Sequence, residues 1–519
     1  MQTCFKPLRT LRIRPLSFTF ILVILTIFLS FEDLTLEFKI HQLNKLKNLN
    51  SLLYLNQDIA ASAFGTINSS KMSKRHWQEQ RVDFYVYDNS KVNWLINCSK
   101  ITDSPSFKLL QTASSIKSHW HHADDILFSQ QILKHKWRTK DPDLAQVFVI
   151  PTLFGWFSGF HGDREYSPEE MANITCNGYT LSQMIDNTAN YIMNESPYFN
   201  LTSNPFLDPF HGRPHLFVAS SWYMEPYGFE RTFRGHPKMR EIIRASTFGH
   251  YEIPGRINYN KFYDKELNRQ LNFQYAFKSP NWRCTIVVPY VDWPYKDFEY
   301  LDSSLTFENW RKRSFDFFFV GKQYKYNSTA GRYDPADAYR TRRIISDYFK
   351  SGFFGKKTYI FTERYDTPHL KWCQYEDCDV KRQCANCTFT KELIDNYENF
   401  AYDSKFALVI HGGTSSTSRL YDAITNGQIP IIISTTIAYH GLPFVRQVPW
   451  LDLAFFISQA GISDYELCRH VREIAEVPEY ILKRKFERLV EYRKDVSWRD
   501  PESKVIDHIL EDAKDTCRL

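Results

Sequence analysis

Near the end of the chain an apolar run, Phe406-Ala-Leu-Val-Ile410, gives way to His411-Gly-Gly-Thr-Ser-Ser-Thr-Ser418 and then Arg419. Gly412 and Gly413 permit a tight turn and a close approach of backbone to a ligand. Ser415, Ser416 or Thr417 can cap a helix that starts there. The free N–H groups and positive end of that helix suit a diphosphate. Arg419, in the first turn, is placed to neutralise phosphate charge. Asp422, three residues on, shares its face and can accept hydrogen bonds from ribose hydroxyls. Gly427 ends the helix, and Pro430 opens the next strand. No Walker lysine and no G-x-G-x-x-G is present, so the chemistry alone leaves open a merely structural strand–turn–helix.

Two pairs have the D-x-D spacing that can hold a divalent cation under a diphosphate: Asp141-Pro-Asp143 and Asp377-Cys-Asp379. The first leads into a strand and the second lies inside a cysteine cluster, so structural roles are expected and no obligatory metal is. That cluster, Cys373, Cys378, Cys384 and Cys387, fits two disulfides with three connectivities in an oxidising compartment, or a zinc site in a reducing one.

These residues need elements to position them. Strand patterns occur at 82–87, 145–150, 215–220 and 284–289, then at 315–320, 357–361, 405–410, 429–433 and 454–457. Helical patterns fall at 124–136 and 336–349, and again from about residue 464 to 512. Short apolar strands alternating with helices imply parallel sheets covered on both faces, an α/β class with two Rossmann-like domains. A ligand would lie in the cleft they face, beyond the carboxyl ends of the strands. Residues 81–300 and 301–480 are the expected domains, followed by C-terminal helices over 481–519.

The N-terminus differs in texture. Lys6, Arg9, Arg12 and Arg14 precede Leu16–Phe31, an uncharged run near the lower length limit for a bilayer span, and Glu32 and Asp33 follow. This predicts a cytosolic tail (1–15), a transmembrane signal anchor (16–31) and a lumenal stem (32–80). A short span suits early secretory membranes, hence the Golgi. A cleaved signal peptide is the rival, but the small-x-small cleavage pattern is missing. Six acceptor sequons, Asn68, Asn97, Asn173, Asn200, Asn327 and Asn386, all fall on the lumenal side; a seventh, Asn194, is spoiled by Pro197. Nine of the ten cysteines lie there too, an odd number that leaves at least one thiol outside intrachain pairs. The net charge of +6 resides largely in the four N-terminal bases, and no nucleic-acid partner is expected.

The ordered set Phe406-Ala-Leu408, Ser418-Arg419, Asp422-Ala423, Gly427-Gln-Ile-Pro430, Ser434 and Pro443-Phe444 resembles the exostosin-type glycosyltransferases (glycosyltransferase family 47). Upstream, Asp141-Pro142 with Ala145 and Pro151, Gly212-Arg213 with His215-Leu-Phe217, Val288-Pro289, and Arg313 with Phe319 and Gly321 also fit that family's pattern. The resemblance spans about residues 81 to 475. It implies a GT-B fold and inverting transfer from a nucleotide sugar, a UDP-sugar, to a glycan or polysaccharide acceptor. The second domain would hold the donor, with Gly321 and Lys322 beside Arg419. A base for the acceptor hydroxyl would come from the first domain, with His215, Glu225 and Asp163 as candidates. Two departures stand out: Asp422 where the family has Glu, and Ser221-Trp-Tyr-Met-Glu225 where it commonly has His-Asp-Trp-Gly. They motivate an alternative, a non-catalytic partner that stabilises an active glycosyltransferase. Self-association, or association with another glycosyltransferase, is left open.

Overall fold

A computed structural model describes residues 80–97, 124–153, 175–176, 178–199, 214–218, 243–246, 285–322, 326–327, 332–333, 337–355, 358–363, 396–410, 416–434, 437, 441–457 and 463–516. The chain divides into two compact units, Met1–Asp58 and Ile59–Leu519, and every described residue belongs to the second. The expected anchor and the stem up to residue 79 lie outside the described residues. Among those described, no helix is long and apolar enough to cross a membrane.

The first half runs β1 (Phe84–Val86), α1 (Trp94–Asn97), α2 (Asp124–Ile132), β2 (Arg138–Thr139), β3 (Val147–Val149), β4 (Thr175–Cys176), β5 (Tyr179–Thr180), α3 (Leu181–Asn190), a π-helical turn (Tyr191–Glu195), β6 (His215–Val218), β7 (Ile243–Ser246) and β8 (Thr285–Val287). Six of these strands form a sheet in the order β2-β1-β3-β6-β7-β8, every pair parallel. Strands β3 and β6 are buried along their whole length, as a parallel sheet covered on both faces demands. The helix expected over 124–136 stops at Ile132. There the chain turns, Arg138 N–H bonding back to the His135 carbonyl at 3.1 Å, and His135 reaches Asp507 at 2.6 Å.

The second half continues with α4 (Phe298–Ser304), α5 (Phe307–Arg311), β9 (Phe315–Lys322), a small hairpin of β10 (Tyr326–Asn327) and β11 (Arg332–Tyr333), α6 (Asp337–Lys350) and β12 (Thr358–Glu363). After these come β13 (Ser404–Ile410), α7 (Ser418–Thr425), β14 (Ile429–Ile433), α8 (Trp450–Leu453), β15 (Phe455–Ile457), α9 (Asp464–Ile474), α10 (Glu479–Val496) and α11 (Val505–Thr516). Its sheet has the order β12-β9-β13-β14-β15, again all parallel. The core is aliphatic at the centre: Val409, Ile410, Ile431, Ile432 and Ile433 are each fully buried. Each such side chain contributes roughly 1.5–3 kcal/mol relative to exposure. Helix α6 packs with α9, and α7 with α10, so helical layers cover the sheet.

Two segments join the lobes. Residues 288–297 lead out of β8 into α4, and residues 497–504 carry the chain back from α10. The C-terminal helices therefore do not form one appendage. Helix α10 packs on α7, α8 and β14, whereas α11 returns to lie on β3, β7 and β8 of the first sheet.

Candidate functional site

In strand order the second sheet reads 2-1-3-4-5, and its switch point lies between β9 and β13. Ligands of such sheets bind beyond the carboxyl ends of the strands at that point. Those ends are Gly321-Lys322 on β9, which the family resemblance marks for a donor, and Ile410 on β13, the end of the strand that leads into the expected donor loop. In β9, Phe317 and Phe319 are 1% exposed, and β13 is buried from Phe406 on, so the strand ends are held rigidly.

Arg419 reaches from the first turn of α7 to β9. Its Nε donates to the Val320 carbonyl at 2.9 Å, and its guanidinium lies 5.4 Å from the centre of the Phe319 ring. Nη1 and Nη2 have no partner among the described residues. A Cβ at Gly321 would come within 2.9 Å of the Phe319 ring and 3.2 Å of Arg419 Nη2, so glycine is what lets the guanidinium settle there. Thr417 occupies the N-cap position with extended backbone (φ −155°, ψ 137°) but makes no side-chain capping bond. The amide end of α7 is thus not closed by its own cap.

A second guanidinium stands close by. Arg342 of α6 is 4% exposed, donates to the Ile410 carbonyl at 3.3 Å and lies 5.7 Å from the same Phe319 ring. Sequence reasoning missed it, since one Arg on an amphipathic helix looks like any solvated base. Two cations beside the ends of β9 and β13 make this a candidate anion-binding locus.

The far end of α7 serves a different purpose. Asp422 Oδ1 accepts the Trp293 backbone N–H at 2.8 Å. Asn426 accepts from the Tyr295 N–H at 2.7 Å and donates to the Trp293 carbonyl at 2.8 Å. Thr425 Oγ1 donates to Asp292 at 2.7 Å, and Asp292 also takes hydrogen bonds from Ser497 Oγ (2.6 Å) and the Trp498 N–H (2.9 Å). This seam gathers both interlobe segments onto one helix. Burial, reinforced by Asp292, pushes the Asp422 carboxyl up to about 8, against the Trp293 N–H, Arg419 and Arg499. Burial raises Asp292 as well. Arg313 clamps the same end: its Nη groups donate to the carbonyls of Ser404, Gly427 and Asn426, each at 2.9 Å. Burial lowers its pKa to about 10. Gly427 has φ +69°, and a Cβ there would collide with Leu305, so the helix must end on glycine.

The expected site residues therefore divide. Gly321 and Arg419 meet at the strand switch, Ser418 precedes Arg419 as the first residue of α7, and Lys322 is on the last rung of β9, paired in register with Glu363. Ser416 is 1% exposed and packs beside the Gly441 carbonyl, a core position. Asp422 is 6% exposed and spends at least one oxygen on the seam. His411, Gly412, Gly413 and Ser415 lie outside the described residues. So do Asp163 and Glu225, while His215 is 1% exposed, stacked on Phe148 at 5.0 Å with its Nε2 2.7 Å from the Tyr87 hydroxyl. Asp141 accepts from the Asp143 N–H at 2.9 Å, closing a turn.

Asn97 ends α1 and Asn327 lies in β10; Asn68, Asn173, Asn200 and Asn386 lie outside the described residues, as do Cys373, Cys378, Cys384, Cys387, Asp377 and Asp379. Cys468 is a free, fully buried thiol whose pKa burial raises to about 12. Among the described residues, no group of three or more His, Cys, Asp or Glu side chains could hold a metal ion.

Residues 78–472 match the family model described as the Exostosin GT47 domain. No curated protein matches the sequence.

Proposed function

The chain belongs to the exostosin GT47 family of glycosyltransferases, and from that premise we propose that it transfers a sugar with inversion from a UDP-sugar to a glycan acceptor in the Golgi lumen. The observation that carries the donor half of this reading is the Arg419 clamp at the β9–β13 switch. The acceptor oxygen attacks the anomeric carbon, the bond from that carbon to the diphosphate oxygen breaks, and the electron pair leaves with the diphosphate. Arg419, the open amide end of α7 and Lys322 would meet the charge that develops there, with Arg342 behind them. Because cationic side chains supply the positive charge, no divalent metal is required. Activity that a chelator abolishes and Mn²⁺ restores would overturn that point.

Membrane anchoring at 16–31 and a lumenal catalytic part are supported by the charge asymmetry and by the sequons that all follow the apolar run. Protease protection of microsomes with an endoglycosidase mobility shift would test both.

The main experiment incubates the full-length chain, purified in mild detergent, with a panel of UDP- and GDP-sugars, with and without mixed glycan acceptors, and follows nucleoside diphosphate release. Arg419→Ala is expected to fold and melt like the wild type yet lose about 100-fold or more in turnover. Normal turnover would sink the donor assignment. Silence of the wild type with every donor, despite intact UDP binding, would favour the non-catalytic partner.

A further inference from the structure

Inversion requires a base that faces the donor from the first lobe. We propose that Asp88, on the turn after β1, takes the proton from the acceptor hydroxyl, in a sugar-binding surface framed by Tyr85, Tyr191 and Tyr198. This rests on the reading of the chain as an inverting transferase.

The first sheet has the same strand order as the second, 2-1-3-4-5, with β8 added as a sixth strand. Its switch point therefore lies between β1 and β3, and Asp88 stands just past the carboxyl end of β1. Both neighbours of Asp88 are pinned. The Tyr87 N–H donates to the Val149 carbonyl at 3.1 Å, and the Tyr87 carbonyl accepts from Asn93 Nδ2 at 2.9 Å. Asn89 closes a turn, its carbonyl accepting from the N–H groups of Val92 (3.0 Å) and Asn93 (2.9 Å) and its Oδ1 from that of Lys91 (2.8 Å). Between these fixed points the Asp88 side chain is exposed, and its charge acts on the neighbouring Tyr85 phenol, adding to burial in raising the pKa of that hydroxyl. An exposed carboxylate on a turn locked at both neighbouring residues, beside a phenol, is what a positioned base needs.

The surroundings suit a sugar ring. Tyr85, Tyr191 and Tyr198 are half-buried, so their rings are partly open to solvent. Tyr198 stacks on Phe148 at 5.0 Å and lies 6.0 Å from Tyr85, while Tyr191 stands edge-on to Tyr87 at 6.1 Å. Beneath them, Tyr87 bonds Ser196 at 2.8 Å and His215 at 2.7 Å, closing the layer. The imidazole of His215 is thus sealed inside the aromatic layer, and Asp88 is on the open side. Burial, with Asp88 adding to it, pushes the Tyr85 phenol up to about 12, so it stays a hydrogen-bond donor at neutral pH. In the reaction the proton of the acceptor O–H passes to the Asp88 carboxylate as that oxygen bonds to the anomeric carbon. The diphosphate departs with its electron pair toward Arg419.

The test uses the full-length chain in mild detergent, with UDP itself as the binding probe and the donor and acceptor panel above for turnover. Asp88→Asn is expected to melt and bind UDP like the wild type while kcat falls about 100-fold or more. Formate is expected to restore part of the activity of Asp88→Ala, and Asp88→Glu to keep part of it. Tyr85→Phe, which retains the ring, should lower kcat less. Turnover of Asp88→Asn within threefold of the wild type would overturn the proposal. So would a loss that appears only in acceptor KM and that formate does not relieve. An active Arg419→Ala would instead remove the donor-site reading and leave Asp88 standing. A wild-type chain silent with every donor would sink both.

Discussion

The two ends of α7 are built from the same short helix and are finished in opposite ways. At its start Thr417 makes no capping bond, Ser418 is half-exposed, and Arg419 holds Val320 through one nitrogen only. At its far end Asp422, Thr425 and Asn426 are hydrogen-bonded into the segments that join the lobes, and Arg313 takes the last carbonyls. An open end can receive a ligand; a bonded end can transmit where the lobes stand. The contrast teaches that one helix of eight residues, here proposed to bind the donor, is also the fastening between the two lobes.

Removing Asp292 is expected to break that contrast most severely. Asp292→Ala leaves the Thr425 and Ser497 hydroxyls and the Trp498 N–H without their buried acceptor, a loss of about 3 kcal/mol or more in denaturant unfolding. Asp292→Asn, which keeps one carbonyl oxygen, should lose clearly less; equal losses would mean that volume rather than hydrogen bonding holds the seam.

Asp422 makes a smaller and pH-dependent contribution. Its folded pKa, about 8, lies above the ordinary value near 4, so the folded state binds more protons between those limits. Stability that is complete below pH 4 is therefore lost as pH rises toward 8. Asp422→Asn, which cannot ionise, should be roughly 1–3 kcal/mol more stable relative to the wild type at pH 8 than at pH 4. Identical pH profiles for the two proteins would show that the carboxyl is already charged in the seam.

The open end should be almost indifferent to stability. Ser418→Ala is expected to change unfolding by less than about 0.5 kcal/mol while weakening UDP binding measured by calorimetry. A large loss of stability with unchanged UDP affinity would reverse the assignment of the two ends.

Much of this architecture is written in short-range pattern. Aliphatic and aromatic runs such as Phe406–Ile410 and Ile429–Ile433 read as buried strands because their apolar residues leave no polar face. Strand β7 does not, because Ile243-Arg-Ala-Ser246 has strand character only by pairing with β6 and β8. Gly427 and Arg419 stand out in the sequence because helix-end and anion chemistry constrain neighbours in sequence. Asp292 and Arg342 were not, since each looks like a surface charge until distant segments bury it. Asp422 shows the same limit from the other side. Helical spacing placed it with Arg419, but a backbone N–H from residue 293 claimed its Oδ1 atom.

The return of α11 to the first sheet has a consequence for how the protein is made. Ile506, Ile509 and Leu510, at most 3% exposed, complete the cover over strands laid down near the start of the chain, and Gln80 N–H bonds Glu511 at 2.9 Å. During synthesis the strands of the first lobe emerge early, but the cover that α11 supplies exists only once residues 505–516 have left the ribosome. The half of the molecule born first therefore keeps part of its apolar sheet uncovered until α11 arrives.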